Sequence, residues 1–219
     1  MSNEILPSGY NIYRKDRHSR GGGVLFAIEH SVPSRVLSTP DNIEVVTIEI
    51  RCPHKIISVV YSPPNASDVY LNSLINYLKD LLSDVEAKVI ILGDFNLPDI
   101  NWLTLSANSD FANTFCEFVY DNGLSQLISD PTHNRGNILD LLLTNCPNLI
   151  SNTEVKIDFE LCTDHFPILF SLEVPTLTNH PPHECQREVY NYSKIDTLGV
   201  YDYLSEYDFS SSLACIIKY

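Results

Sequence analysis

The chain has 219 residues, with 28 Asp and Glu against 14 Lys and Arg, for a formal net charge of -14. That balance repels nucleic acid at long range and excludes a general polyanion binder, so any contact with phosphate must rest on local cations or on bound divalent metal. A hydrophobic fraction of 44% with 12 Tyr and 9 Phe supplies a real core and excludes wholesale disorder.

The length suits one domain with a tail or two small domains, and one domain is the expectation. Six cysteines (Cys52, Cys116, Cys146, Cys162, Cys185 and Cys215) lack CxxC spacing, no apolar signal segment follows Met1, and no apolar run is long enough to span a bilayer. Reduced thiols in a soluble intracellular protein are the expectation. Asn65-Ala-Ser and Asn191-Tyr-Ser fit the glycosylation pattern and, without a secretion signal, count as chance matches.

Across residues 9–61 the pattern is short and β-like: Tyr10-Asn-Ile-Tyr-Arg alternates, Gly21-Gly-Gly punctuates, and apolar stretches follow at Val24, Val45 and Ile56. Ser67 is placed to cap a helix whose stripe runs through Leu71, Leu74, Ile75, Leu78, Leu81, Leu82 and Val85. Lys88-Val-Ile-Ile-Leu-Gly93 is a continuous apolar run, the pattern of a central strand buried on both faces. Phe111, Phe115, Phe118 and Val119 mark a second helix, with Asn108 or Ser109 near its start and Gly123 to end it. Further strands are predicted at 139–144, 154–159 and 168–174. After Val174 the composition shifts to Pro175, Asn179, His180, Pro181, Pro182 and His183, which reads as a linker. The expected division is a domain over 1–174, a linker over 175–187 and a partly disordered segment over 188–219, with one weak helical stretch near 195–204.

Gly93-Asp94-Phe95-Asn96 lies at the carboxyl end of the buried strand, where active sites commonly sit in such sheets. Asp94 and Asn96 share one side of the emerging chain, so a carboxylate can handle a proton or cation while an amide donates to a phosphate oxygen. An Asx turn after a strand is the bland alternative. Thr163-Asp164-His165 sets an anion beside an imidazole, a pair suited to metal and phosphate, or simply a histidine satisfied in a turn. Asp140, between Leu139 and Leu141, needs a partner because an unpaired carboxylate in a buried strand is costly. His165 is the candidate, since an Asp accepting one ring N–H fixes the tautomer. Tyr61-Ser-Pro-Pro-Asn65 offers a phenol and an amide at a rigid turn, or only a strand terminator.

Taken together, Val60-Tyr-Ser-Pro-Pro-Asn65, Ile91-Leu-Gly-Asp-Phe-Asn-Leu-Pro-Asp-Ile-Asn-Trp102, Asn137-Ile-Leu-Asp-Leu-Leu-Leu-Thr-Asn145 and Thr163-Asp-His-Phe-Pro167 resemble, in order, the signature blocks of the endonuclease/exonuclease/phosphatase superfamily. The wording is closest to the endonucleases of LINE-type (non-LTR) retrotransposons, and Gly9-Tyr-Asn-Ile-Tyr-Arg-Lys-Asp-Arg17 resembles the block that precedes these. The likeness covers about residues 5–174.

That resemblance implies a four-layer α/β sandwich, two facing mixed sheets between helices, and cleavage of a DNA phosphodiester with Mg²⁺ or Mn²⁺. By position, Asp94 would orient or deprotonate the attacking water or protonate the leaving group, and Asn96 would hold a phosphate oxygen. Asp164 would ligate the metal, His165 would bond the phosphoryl group with Asp140 orienting it, and Tyr61 and Asn65 would contact the phosphate or its neighbours. These roles suit in-line displacement, which needs a nucleophile, a cation on the developing charge and donors on the nonbridging oxygens. Family members also begin with an Asn strand and a metal-binding Glu strand upstream of the Gly9 block; neither has a counterpart here, and Glu4 falls too close to Gly9 to take the Glu's place. The expected sandwich is therefore incomplete at its N-terminus, with an unpaired sheet edge and a reduced metal shell. Val189-Tyr-Asn-Tyr-Ser-Lys-Ile-Asp196 resembles the connector toward a reverse transcriptase, and the expectation is a fragment without that polymerase.

Arg14, Lys15, Arg17 and Arg20 form the one dense basic patch, and Arg14 and Arg17 are the candidate DNA contacts. Ser19-Arg-Gly-Gly-Gly23 lacks the Lys-Ser/Thr of a phosphate loop and reads as a hairpin turn. His180, His183 and Cys185 lack a fourth ligand for zinc. The leading expectation is a retroelement DNA endonuclease, impaired in metal binding and acting in the nucleus. The alternatives are a catalytically dead remnant or binding module, and a phosphatase for small phosphoesters.

Overall fold

The computed structural model describes residues 9–17, 23–50, 54–157 and 163–173. In chain order the elements are β1 (Tyr10–Asp16), β2 (Gly23–Glu29), β3 (Ser34–Leu37), β4 (Glu44–Ile50), β5 (Lys55–Tyr61), α1 (Asp68–Leu82), β6 (Lys88–Asp94), α2 (Asp110–Asp121), β7 (Ser125–Gln126), β8 (Asp140–Thr144), β9 (Ile150–Val155) and β10 (Ile168–Leu172). Glu4, Arg20, Gly21, His180, His183, Cys185 and the expected linker and connector fall outside the described residues.

The apolar run at 89–92 becomes the interior of β6, which sits inside a six-stranded mixed sheet ordered β3-β4-β5-β6-β8-β7. β5 and β6 are parallel, so the chain between them must cross over one face, and α1 makes that crossover. Side chains alternate along β6. Val89 and Ile91 meet Leu74, Leu78, Phe115 and Phe118 on the helical side, while Ile90 and Leu92 meet Phe26, Ile48, Ile57 and Leu142 on the other. Burial on both faces is why this segment carries no polar alternation.

The second β layer consists of two antiparallel hairpins, β1-β2 and β9-β10. β2 packs on β4 and β5, with Val24, Phe26 and Ile28 turned into the interior. Val155, Ile168, Phe170 and Leu172 of the other hairpin join the same core. Two β layers thus face one another, and α1 and α2 cover the outer face of the larger: the α/β sandwich expected.

Both helix starts follow their caps. The Ser67 hydroxyl accepts from the Tyr70 N–H, and the Ser109 hydroxyl from the Ala112 N–H. α2 ends at Asp121, and Gly123, two residues on with φ +59°, makes the left-handed turn that stops it. The stripe through Val85 is corrected at its last member: α1 ends at Leu82, the Ser83 hydroxyl bonds the Asp80 carbonyl, and Val85 is 86% exposed. The strand expected at 154–159 starts earlier, at Ile150, because a 3-10 turn at Pro147–Leu149 delivers the chain directly into register with β10. β3 and β7 were not expected. Among the described residues no helix is long and apolar enough to cross a membrane, and Cys116 and Cys146 are free.

Candidate active site

The ladder aligns Glu44 with Tyr61, Tyr61 with Asp94, and Asp94 with Asp140, forming one row across β4, β5, β6 and β8. Residues paired in this way point to the same face. The row lies at the carboxyl ends of the parallel pair β5 and β6. Close strand packing there depends on Gly93, at φ +129°, where a Cβ would lie 1.9 Å from the Val60 carbonyl oxygen.

Asp94 is 3% exposed, and its carboxylate is held from both sides by Asn96. The Asn96 backbone N–H donates to Oδ1 at 3.0 Å and the side-chain amide to Oδ2 at 2.9 Å. The same amide nitrogen donates to the Ser62 carbonyl at 2.7 Å. Asn96 takes φ +50°, a conformation in which Asn is enriched among non-glycine residues. Both amide hydrogens expected for a phosphate oxygen are therefore engaged, and Asn96 serves here to fix Asp94.

Asp140 Oδ2 lies 2.6 Å from His165 Nδ1, so the ring donates its Nδ1–H to that carboxylate. His165 Nε2 then faces Asp94 Oδ2 across 4.0 Å. Two residues not singled out in the sequence make this arrangement rigid. The Thr132 hydroxyl accepts the N–H groups of Leu139 and Asp140, each at 3.0 Å. The Thr132 carbonyl accepts the Phe166 N–H at 2.7 Å, the Asp164 carbonyl accepts the Asn134 N–H at 2.9 Å, and His133 bridges His165. His133 Nε2 sits 3.1 Å from Asp164 Oδ2, its Nδ1 accepts the Arg135 N–H at 3.1 Å, and its ring meets His165 edge to face, with centroids 4.9 Å apart. The available signal was the turn-forming run Thr132-His133-Asn134-Arg135-Gly136, three residues before β8.

Burial raises the Asp164 pKa, but the hydrogen bond from His133, its own backbone N–H and the nearby imidazoles outweigh this and hold it below the ordinary carboxylate value. Two groups bring ligand atoms within 4.8 Å of one another: Asp94, Asp140 and His165, and His133, Asp164 and His165. Their carboxylates are the hard oxygen donors that Mg²⁺ and Mn²⁺ take, and Asp164, with its side chain 59% exposed, is open to a hydrated cation.

Of the remaining candidates, Tyr61 stands within the row between Glu44 and Asp94, its carbonyl accepting the Tyr70 hydroxyl at 2.7 Å; burial raises the Tyr70 phenol to about 12. Arg17 lies 5.5 Å over the Tyr61 ring and pairs with Glu44 at 2.7 Å. Arg14 pairs with Asp16 at 2.6 Å. Asn65 is exposed within the turn closed by the Ala66 N–H on the Pro63 carbonyl at 3.0 Å. A cavity of about 640 Å³ is lined by Pro98, Trp102, Leu103, Gln126, Asn137 and Ile138, and by none of the candidate site residues.

The sequence model of a family described as endonuclease-reverse transcriptase matches residues 55–169, from the first residue of β5 into β10. Among solved structures the chain is similar to the endonuclease domain of TRAS1, a telomere-specific non-LTR retrotransposon, at 16% identity and a TM-score of 0.56, covering 74% of this chain and 77% of that one. It is also similar to the 3′ phosphatase NExo from Neisseria bound to product DNA hairpin, at 15% identity and a TM-score of 0.58, covering 76% of this chain and 80% of that one. At these identities the likeness shows a shared fold. No curated protein matches the chain. With the family match spanning more than half of its length, and the sandwich carrying an acidic row at its mouth, the chain belongs to the endonuclease-reverse transcriptase family of the endonuclease/exonuclease/phosphatase superfamily.

Proposed function

We propose that this domain hydrolyses phosphodiester bonds of DNA with Mg²⁺ or Mn²⁺, as a retroelement endonuclease acting in the nucleus. The observation that supports this most is the line Asp140–His165–Asp94: an imidazole anchored at 2.6 Å on one carboxylate and facing a second across 4.0 Å, at the end of a buried strand. Asp140 fixes the ring so that Nε2 addresses the gap, where a phosphoryl oxygen or a water can sit. Asp94, locked by two N–H groups of Asn96, is placed to take a proton from a water in that gap. A divalent cation held at Asp164 would neutralise the nonbridging oxygens and acidify its bound water. Tyr61, paired with Asp94 in the ladder, is the neighbour through which substrate would be contacted, and Arg17 reaches phosphate only by leaving Glu44. Asn96 in this reading holds Asp94, and its amide reaches a phosphate oxygen only by leaving Ser62 or Asp94.

The isolated chain is expected to hold its metal weakly. Among the described residues neither metal-capable group contains a Glu, and the net charge of -14 opposes DNA. A role without turnover, as a remnant or as a binder of something other than DNA, is the second reading, because ion pairs occupy the candidate DNA contacts Arg14 and Arg17.

Nicking of supercoiled plasmid in Mg²⁺ tests the proposal. Slow nicking is expected, abolished by chelation and reduced about 10²-fold or more in Asp94→Ala and in His165→Ala. Nicking that survives both substitutions would place the chemistry elsewhere; a metal-dependent rise in melting temperature without nicking would favour the second reading.

A further inference from the structure

We infer that His133 is a positioning residue that aims the Asp164 carboxylate, working as the Nε2–H tautomer and not as a metal ligand itself; its functional consequence rests on the metal-dependent reading above. Three observations carry this. First, the tautomer is set by the backbone. The Arg135 N–H points at Nδ1 from 3.1 Å, so Nδ1 must present its lone pair, and the single proton of a neutral ring then sits on Nε2. That nitrogen is the one 3.1 Å from Asp164 Oδ2, so the contact is a donated hydrogen bond.

Second, the ring is buried and the carboxylate is not: the His133 side chain is 9% exposed and that of Asp164 59%. A half-exposed aspartate has rotamer freedom that a buried donor removes. His133 is itself immobilised, because its turn is tied to both functional segments. Thr132 takes the N–H groups that lead into Asp140, and Asn134 and Phe166 close backbone bonds around Asp164 and His165. One short turn therefore fixes the spacing between the Asp140–His165 pair and Asp164.

Third, both ring nitrogens are already used. Although ligand atoms of His133, Asp164 and His165 lie within 4.8 Å of one another, a cation on His133 would have to displace either the Arg135 N–H or the Nε2 proton. The edge-to-face contact at 4.9 Å also limits rotation of the His165 ring, so the same residue steadies the imidazole that faces Asp94.

The test separates the two ring nitrogens by substitution. In His133→Asn the amide oxygen can still accept the Arg135 N–H, but no donor reaches Asp164; in His133→Gln the amide nitrogen comes near the place of Nε2. Mn²⁺ binding to the full chain, followed by electron paramagnetic resonance, is expected to weaken by about 10- to 100-fold in His133→Asn and to recover to within about three-fold of wild type in His133→Gln. Equal wild-type affinity in both variants overturns the inference. So does equal weakening in both, which would mark a purely structural histidine. Long-range ¹H–¹⁵N NMR of the metal-free chain is the independent arm: a protonated Nε2, with ring signals that move in Asp164→Asn, is expected, and a protonated Nδ1 overturns the assignment. If wild type and Asp164→Ala alike bind no Mn²⁺, the metal reading fails, and the NMR arm still decides the role of His133.

Discussion

His165 and Asp94 face one another across 4.0 Å, and the far side of the His165 ring is held by Asp140 at 2.6 Å. An imidazole donating from Nδ1 to a carboxylate can present only Nε2 to the gap. Asp140→Asn keeps the shape of that contact but can offer an N–H to Nδ1 and so select the wrong tautomer. Its nicking rate is expected to fall about 10²-fold or more with little change in fold or in DNA binding, which single-turnover kinetics and a thermal melt check together.

Gly93 decides whether the acidic row forms at all. A methyl group there would meet the Val60 carbonyl oxygen at 1.9 Å, at a φ of +129° that side chains avoid. Gly93→Ala is expected to cost about 3 kcal/mol or more, read by denaturant unfolding, because β5 and β6 must separate beside Asp94.

Lys55 is 1% exposed on the inner face of β5. Burial lowers its pKa below the ordinary 10.5, while the Cys146 thiol and Glu173 pull it back up. The penalty on the charged form is fully present below the lowered folded value and disappears as pH rises through it toward 10.5. Lys55→Met should therefore melt higher than wild type at pH 7, by on the order of 1 kcal/mol, and the gap should narrow in alkaline buffer. A gap that widens with pH would contradict this.

Asp99 anchors the entry to α2, accepting the N–H groups of Asn108 at 3.3 Å and Ser109 at 2.9 Å. Burial raises its pKa, but hydrogen bonds from the Ser109 backbone and hydroxyl, with Asn108, win and hold it below 3.8. A depressed carboxylate stabilises above its unfolded value and ceases to as pH falls through the folded one. Asp99→Asn is expected to lose about 1 kcal/mol at pH 7, with the difference from wild type vanishing in the acid range below 3.8. Melts from neutral to acid pH check both halves.

Much of the frame was legible because its signals are local. The α1 and α2 stripes follow Ser67 and Ser109, which do cap them, and the polar-free run of β6 does lie in the middle of a sheet. β3 and β7 escaped because both are edge strands: β3 leaves Arg35 and Val36 exposed, and β7 spans two residues. Asp94, Asp140, Asp164 and His165 were singled out by type and position, and the fold brings Asp94, Asp140 and His165 together. Thr132 and His133 were not, since their importance lies in backbone bonds to segments far along the chain. Nor does the local sequence show that Arg17 is matched by Glu44, a pairing made only when β1 stacks over β4.

The most direct measurement is a double-mutant cycle of single-turnover nicking in Mg²⁺ on Asp94→Ala, His165→Ala and the pair. Two groups acting on one phosphate in one gap should be non-additive, so the double variant is expected to be about as slow as the slower single. Losses that simply multiply, or variants that nick as fast as wild type, would contradict a shared site.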